Sequence, residues 1–192
     1  RTIFLYPYAM SFVVTGLVWK WVLNPTFGLE NSMHMWGFSW FQLDWLVNRD
    51  LAIYAVCIAA VWQGAGFVMV LMLAGLRGID EDIWKSLSIE GVAKWKSYVF
   101  VILPMLRPMV VTAIVLIAAG VVKVYDLILA LTSGGPGYAT TTPAMYVMEN
   151  FFQRANLGQA FAASIIMFIS VVCILAPWAF YEFYLRNKYA TN

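Results

Sequence analysis

The chain predicts an all-α fold, a polytopic bundle of membrane helices, and three observations carry that prediction. It is 62% hydrophobic and only 11% charged, with a positive mean hydropathy, whereas soluble proteins carry about 25% charged residues. Four apolar stretches are long enough for a bilayer core about 30 Å thick, which needs roughly 20 residues of helix. Between the second and third stretches, a polar break from Trp84 to Pro108 has the pattern of a short amphipathic helix.

The same composition excludes several classes. The net charge of +2, with no basic run and no aromatic-plus-basic motif, argues against a nucleic-acid partner. Cys57 and Cys173 each fall inside an apolar span, where a thiol acts as a small hydrophobe, so neither a disulfide nor a metal site is expected. His34 stands in a loop without a carboxylate or cysteine cluster and is read as a surface residue. No G-x-x-x-x-G-K-[ST] phosphate loop occurs, so the chain has no such cradle for ATP.

The first span is expected over residues 2–23. No signal peptide is recognisable in the sequence, and Arg1 in place of an initiator Met leads to the expectation of a piece of a longer chain. Residues 24–50 form an outer loop too polar to span, whose Trp36, Trp40 and Trp45 pack on the membrane surface or on a partner. The second span covers 51–76. Within it Gln63, beside Gly64 and Gly66, has two readings: a hydrogen bond across a close helix interface, or a reach toward a solute.

An inner loop follows at 77–108. Asp80, Glu81 and Asp82 suit the positive end of a helix dipole, and Ile83, Trp84, Leu87 and Ile89 recur at roughly helical spacing. The helix ends near Glu90 and Gly91, since glycine readily takes the left-handed conformation. A second short helix over 94–103 stops at Pro104. Amphipathicity by itself favours a helix lying on lipid, since interfacial helices are common.

The third span, 109–131, contains Lys123 and Asp126 on one helix face. They pair with each other either as a structural lock or as the polar border, with Gly120 and Tyr125, of a solute path. An outer segment then carries Tyr146, Glu149, Phe152 and Arg154 at helical spacing. The fourth span covers 160–184, and kinks are expected near Pro7, Pro104, Pro108 and Pro177. Arg1, Arg77, Lys85, Lys94, Lys96, Arg107, Arg186 and Lys188 fall on one side, against Lys20, Arg49 and Arg154 on the other; the positive-inside rule puts the first set in the cytoplasm.

The run L-A-G-L-R-G-I-D-E-D-I-W-K-S-L-S-I-E-G-V-A-K-W-K-S-Y-V-F-V-I-L-P-M-L-R-P, residues 73–108, resembles the cytoplasmic "EAA" loop of binding-protein-dependent ABC transporter permeases. Gly91 falls on that family's glycine, Glu90 on its preceding acid, and Leu103 and Pro104 on its closing pair. L-T-S-G-G-P-G-Y-A-T-T-T-P-A-M-Y, residues 131–146, resembles the outer loop of the carbohydrate-uptake branch, maltose and glycerol-phosphate type, and N-P-T-F-G-L-E-N, residues 24–31, resembles the outer loop after the family's third helix. One departure is plain: Lys85, Ser86 and Leu87 stand where the family has glutamate and two alanines.

The resemblance implies a type I importer fold, with residues 1–192 part of one transmembrane permease domain holding the family's helices three to six. It implies docking of the loop helix on a separate ATPase through Lys85, Ser86, Leu87, Glu90, Gly91, Leu103 and Pro104. Candidates for the substrate path are Gln63, Gly120, Val121, Lys123, Val124, Tyr125 and Asp126. Valine at 121 and 124, where the maltose-type relative has polar side chains, means its exact contacts do not carry over. Gly134, Gly135, Pro136, Tyr146 and Glu149 are candidates for contact with a binding protein.

The implied partners are a second homologous permease, two ATP-binding subunits, an extracytoplasmic solute-binding protein, a carbohydrate and membrane lipid. The resemblance also implies a non-enzymatic chain that itself binds no cofactor, with ATP and Mg on the ATPase subunits. The implied place is a bacterial inner (plasma) membrane, crossed several times. The alternatives are an ABC permease for a peptide or amino acid and, from another class, an ion-coupled secondary transporter using Lys123 and Asp126. No internal repeat of the kind such transporters show is visible.

Overall fold

The computed structural model describes residues 2–190 except 41, 43 and 92, and for residues 2, 4 and 181–190 it describes the backbone alone. Arg1, used above for orientation, lies outside the described residues, as do the side chains of Arg186 and Lys188. The regular structure among the described residues is helical, without a strand.

Two short helices, α1 (Thr2–Ala9) and α2 (Phe12–Val22), replace the single helix expected over 2–23. Pro7 inside α1 has no N–H for the preceding turn. Ser11 then leaves the helix at φ −69°, ψ 151° and caps α2, its hydroxyl accepting the Val14 N–H at 3.2 Å. The break frees the Met10 carbonyl, and the Gln63 side-chain amide donates to it at 2.8 Å.

The outer loop is built around α3 (Leu29–Met35) and a 3₁₀ turn, Asp44–Leu46. His34 sits in the last turn of α3 and is therefore helical rather than in an open loop. The three tryptophans part company: Trp45 packs against Leu23 and Ala55, while Trp36 and Trp40 stay exposed.

The long α4 (Ala52–Arg77) is unbroken. It presents Ala52, Ala55 and Ala59, all fully buried, as a face of small side chains. In lipid there is little hydrophobic drive between helices, so close backbone approach and packing hold them together. Tyr8 of α1 meets Phe67, and Trp19 of α2 meets Trp62, each at 5.9 Å between ring centroids.

The inner loop forms α5 (Glu81–Ile89), then a chain of short pieces: α6 (Lys94–Lys96), a π-helical stretch (Ser97–Ile102) and α7 (Leu103–Met105). The expected stop at Pro104 does not occur. Proline is tolerated in a helix's first turn, and Pro104 stands in the first turn of α7. The turn comes at Leu106, where the axis bends by 63° into α8 (Arg107–Val122). Leu106 is buried, and it and Met109 lie against Gly75 of α4.

The third expected span is also interrupted. α8 ends at Val122, and after Lys123, Val124 and Tyr125 the chain re-enters helix as α9 (Asp126–Leu131). The core lies here, where Leu127, Ile128 and Leu131 meet Val56 and Ala59 of α4, with Trp19, Leu46, Val124 and Met145 around them. α2 crosses α9 at Gly16, where a Cβ would stand 2.7 Å from the Ala130 Cβ and 2.9 Å from the Leu127 carbonyl oxygen. The close approach expected at Gly64 is not made, because a Cβ there meets nothing within 4 Å.

After the outer loop come α10 (Pro143–Met148), a π-helical turn (Glu149–Gln153) and α11 (Leu157–Ala190), longer at both ends than the span expected over 160–184. Among the described residues, Ala52–Arg77 and Leu157–Phe180 are each long and apolar enough to cross a membrane, and the bent pair Lys94–Met105 and Arg107–Val122 qualifies if taken as one span.

Candidate functional site

Three places hold the residues singled out from the sequence. The first is α5. Asp80 caps it by accepting the Asp82 N–H at 3.0 Å, and Glu81 and Asp82 occupy the first turn. Ile83, Trp84 and Leu87 are half-buried on its inner side, where the Trp84 ring meets Tyr98 at 5.6 Å. Lys85, Ser86, Glu90 and Gly91 face outward.

Ile89, grouped above with the inner apolar set, is instead 86% exposed. Two residues beyond Leu87 is about 200° around a helix of 3.6 residues per turn, which puts Ile89 on the opposite face. Its position relative to Leu87 was the signal available in the sequence. Gly91 closes the helix at φ +65°, where an L side chain is strained. Lys85, the departure from the family pattern, pairs with Asp82 of its own helix at 2.9 Å. Leu103 is exposed and Pro104 half-buried, both in α7 beyond the π-helical stretch.

The second place is the break between α8 and α9. Lys123 and Tyr125 line a cavity of about 310 Å³, together with Ala144, Val147 and Met148 from α10 and its end and Ser164 and Met167 from α11. The expected Lys123–Asp126 pair is absent: the ion pairs among the described residues are Lys85–Asp82 and Arg154–Glu149. The two residues do not share a helix face, because Lys123 follows α8 as its C-terminal cap while Asp126 opens α9, and Asp126 does not line the cavity.

Gly120 and Val121 are exposed on α8, and neither lines the cavity. Val124 turns its side chain to the core and its carbonyl to the Thr142 hydroxyl, at 2.9 Å. Gln63 is likewise away from this cavity, held to Met10.

The third place is the outer loop. Gly134, buried, Gly135 and Pro136 form a turn fastened by threonines. Thr140 Oγ1 donates to the Gly135 carbonyl at 3.0 Å and lies 2.7 Å from Thr132 Oγ1, and Thr141 Oγ1 donates to the Gly134 carbonyl at 3.3 Å. Beyond it Tyr146 Oη donates to Gln159 Oε1 at 3.3 Å, and Glu149 pairs with Arg154 at 2.7 Å. Asn150, fully buried between them, donates to the Tyr146 carbonyl at 2.8 Å. Neither Asn150 nor the threonines were singled out from the sequence, where they read as ordinary polar loop residues.

Residues 1–186 match the family model described as the binding-protein-dependent transport system inner membrane component. The trehalose/maltose transport system permease protein MalF of Thermococcus litoralis is 32% identical over 173 residues, covering 90% of this chain and 58% of its own. The sulfoquinovosyl glycerol transport system permease protein SmoG of Agrobacterium fabrum is 28% identical over 179 residues, covering 93% and 58% respectively. The fold also matches a chain in the crystal structure of a bacterial ABC transporter involved in the import of the acidic polysaccharide alginate. The TM-score is 0.80 at 22% identity, over 91% of this chain and 61% of that one. The chain thus spans about three-fifths of the length of these relatives.

Proposed function

The chain belongs to the family of binding-protein-dependent transport system inner membrane components and has the type I importer permease fold, and from that premise we propose that it is a permease subunit of an ATP-driven carbohydrate importer. In this role it forms half of a translocation path, beside a second homologous permease, in a bacterial inner membrane that it crosses several times. Two ATP-binding subunits hold ATP and Mg and hydrolyse the nucleotide, and an extracytoplasmic binding protein delivers the solute.

The observation that carries the coupling role is α5: a capped helix braced on its inner face by Trp84 and Tyr98, with Ile89 exposed beside the Gly91 turn. An exposed apolar side chain among polar neighbours is the kind of anchor that fills a partner's pocket. The carbohydrate reading draws on the relatives named for maltose, trehalose and sulfoquinovosyl glycerol. An ion-coupled transporter built on a Lys123–Asp126 pair is set aside, since that pair is not formed and the family is a different one.

The test is a calorimetric titration of the cognate binding protein with mono- and oligosaccharides, peptides and amino acids, followed by uptake into vesicles holding the assembled transporter. Saturable binding and ATP-dependent uptake of a saccharide is the expected result. Binding of peptides or amino acids alone would overturn the carbohydrate assignment.

A further inference from the structure

The cavity beside Lys123 has walls from the α8–α9 break, from α10 and from α11, and one hydroxyl ties the first two together. Thr142 sits at the N-terminal cap of α10, where the outer loop ends. Its Oγ1 accepts the Met145 N–H at 3.4 Å and donates to the Val124 carbonyl, eighteen residues earlier in the chain, at 2.9 Å. Val124 lies in the non-helical stretch between α8 and α9, and a carbonyl freed from a helix inside an apolar bundle needs a donor.

Above Thr142, the bonds among Thr132, Gly134, Gly135, Thr140 and Thr141 make the outer loop one fastened unit. Below it, Val124 is flanked by Lys123 and Tyr125, which line the cavity. A load on the loop therefore has a route to the break through the Thr141–Thr142 backbone and then the Thr142–Val124 hydrogen bond.

We propose that Thr142 is a positioning residue that transmits docking of the solute-binding protein on the outer loop to the cavity bordered by Lys123 and Tyr125. The proposal rests on the functional reading above and adds to it the route by which the loaded binding protein reshapes the solute path. Coupling of this kind is typically worth a factor of about 5 to 150 between sites.

The test uses the assembled transporter in membrane vesicles, with Cys57 and Cys173 replaced by alanine and Ser164→Cys as a reporter on the cavity wall. The rate at which a small aqueous maleimide labels the reporter is measured with and without solute-loaded binding protein, beside uptake and membrane abundance. With Thr142 and with Thr142→Ser, binding protein changes the labelling rate by about fivefold or more. Thr142→Val, which keeps the shape and loses the hydroxyl, abolishes that response and lowers maximal uptake at unchanged abundance and unchanged half-saturating binding-protein concentration.

A Thr142→Val protein that responds like its parent overturns the proposal, as does one whose uptake falls only in step with its abundance, or a parent that shows no response. If the parent responds to its binding protein and Thr142→Val does not, yet the parent imports no carbohydrate, the functional reading falls and the positioning role of Thr142 stands.

Discussion

The Gln63 side chain reaches across 53 positions of sequence to donate its amide to the Met10 carbonyl at 2.8 Å, and so closes the gap where α1 ends and α2 has yet to begin. Gln63→Met removes the donor at nearly constant volume and leaves that carbonyl without a partner, a cost of about 1–3 kcal/mol. Thermal unfolding in detergent is expected to place Gln63→Met below the parent by this amount. Equal stability of Gln63→Met and the parent would mean that the bond does not hold the break.

At Gly16 α2 crosses close over α9. Gly16→Ala meets the Ala130 Cβ and two backbone atoms of α9, and overpacking of this kind costs about 1–3 kcal/mol. Adding Ala130→Gly removes the nearest atom but leaves the Leu127 carbonyl 2.9 Å away, so the double variant recovers part of the loss. Full recovery, or none, contradicts this geometry, and melting temperature in detergent reads the difference.

Ile89 separates docking from folding. Because the side chain touches little of its own chain, Ile89→Ser leaves stability within about 0.5 kcal/mol. If it anchors the ATPase, solute-stimulated hydrolysis falls by about tenfold, the equivalent of 1.4 kcal/mol of binding. Gly91→Ala is expected to reduce hydrolysis too, through backbone strain at its positive φ. Undiminished hydrolysis in Ile89→Ser removes the anchor from the proposal.

Lys123 and Asp126 behave independently. With no ion pair between them, neutralising both is expected to bring no rescue of either single loss. Lys123→Met changes uptake at constant abundance, because Lys123 lines the cavity, whereas Asp126→Asn, in the first turn of α9, acts chiefly on abundance through the helix dipole. Restored abundance in the double variant would reinstate an ion pair.

The continuous elements were legible in the chain because one local signal sufficed for each. The unbroken apolar run of α4 and the Asp80 cap of α5 are examples, and both match what local chemistry alone dictates. The breaks were harder. Pro7 gave the expectation of a kink in the first apolar run, but Ser11, whose hydroxyl caps a second helix there, was averaged into the run's hydropathy. Residues 123–125 contain no glycine or proline at all. Their departure from helix is matched by the Thr142 bond to Val124, a tertiary partner eighteen residues away that no local pattern announces. The cavity was half legible for the same reason, since Lys123 and Tyr125 could be singled out but the α10 and α11 walls facing them come from the packing.

The 63° bend at Leu106 has a mechanical meaning. The segment Lys94–Met105 is an arm of about 18 Å at 1.5 Å per residue, and Gly75, pressed against Leu106 and Met109, is its fulcrum. A shift of about 2 Å at the free end, the size of ordinary helix displacements, swings a stiff arm of this length through roughly 6°. If an ATPase pushes on α5 as proposed, the bend converts displacement of this arm into a tilt of α8, as a bell-crank would, and the stiffness of the arm limits how much of the stroke arrives.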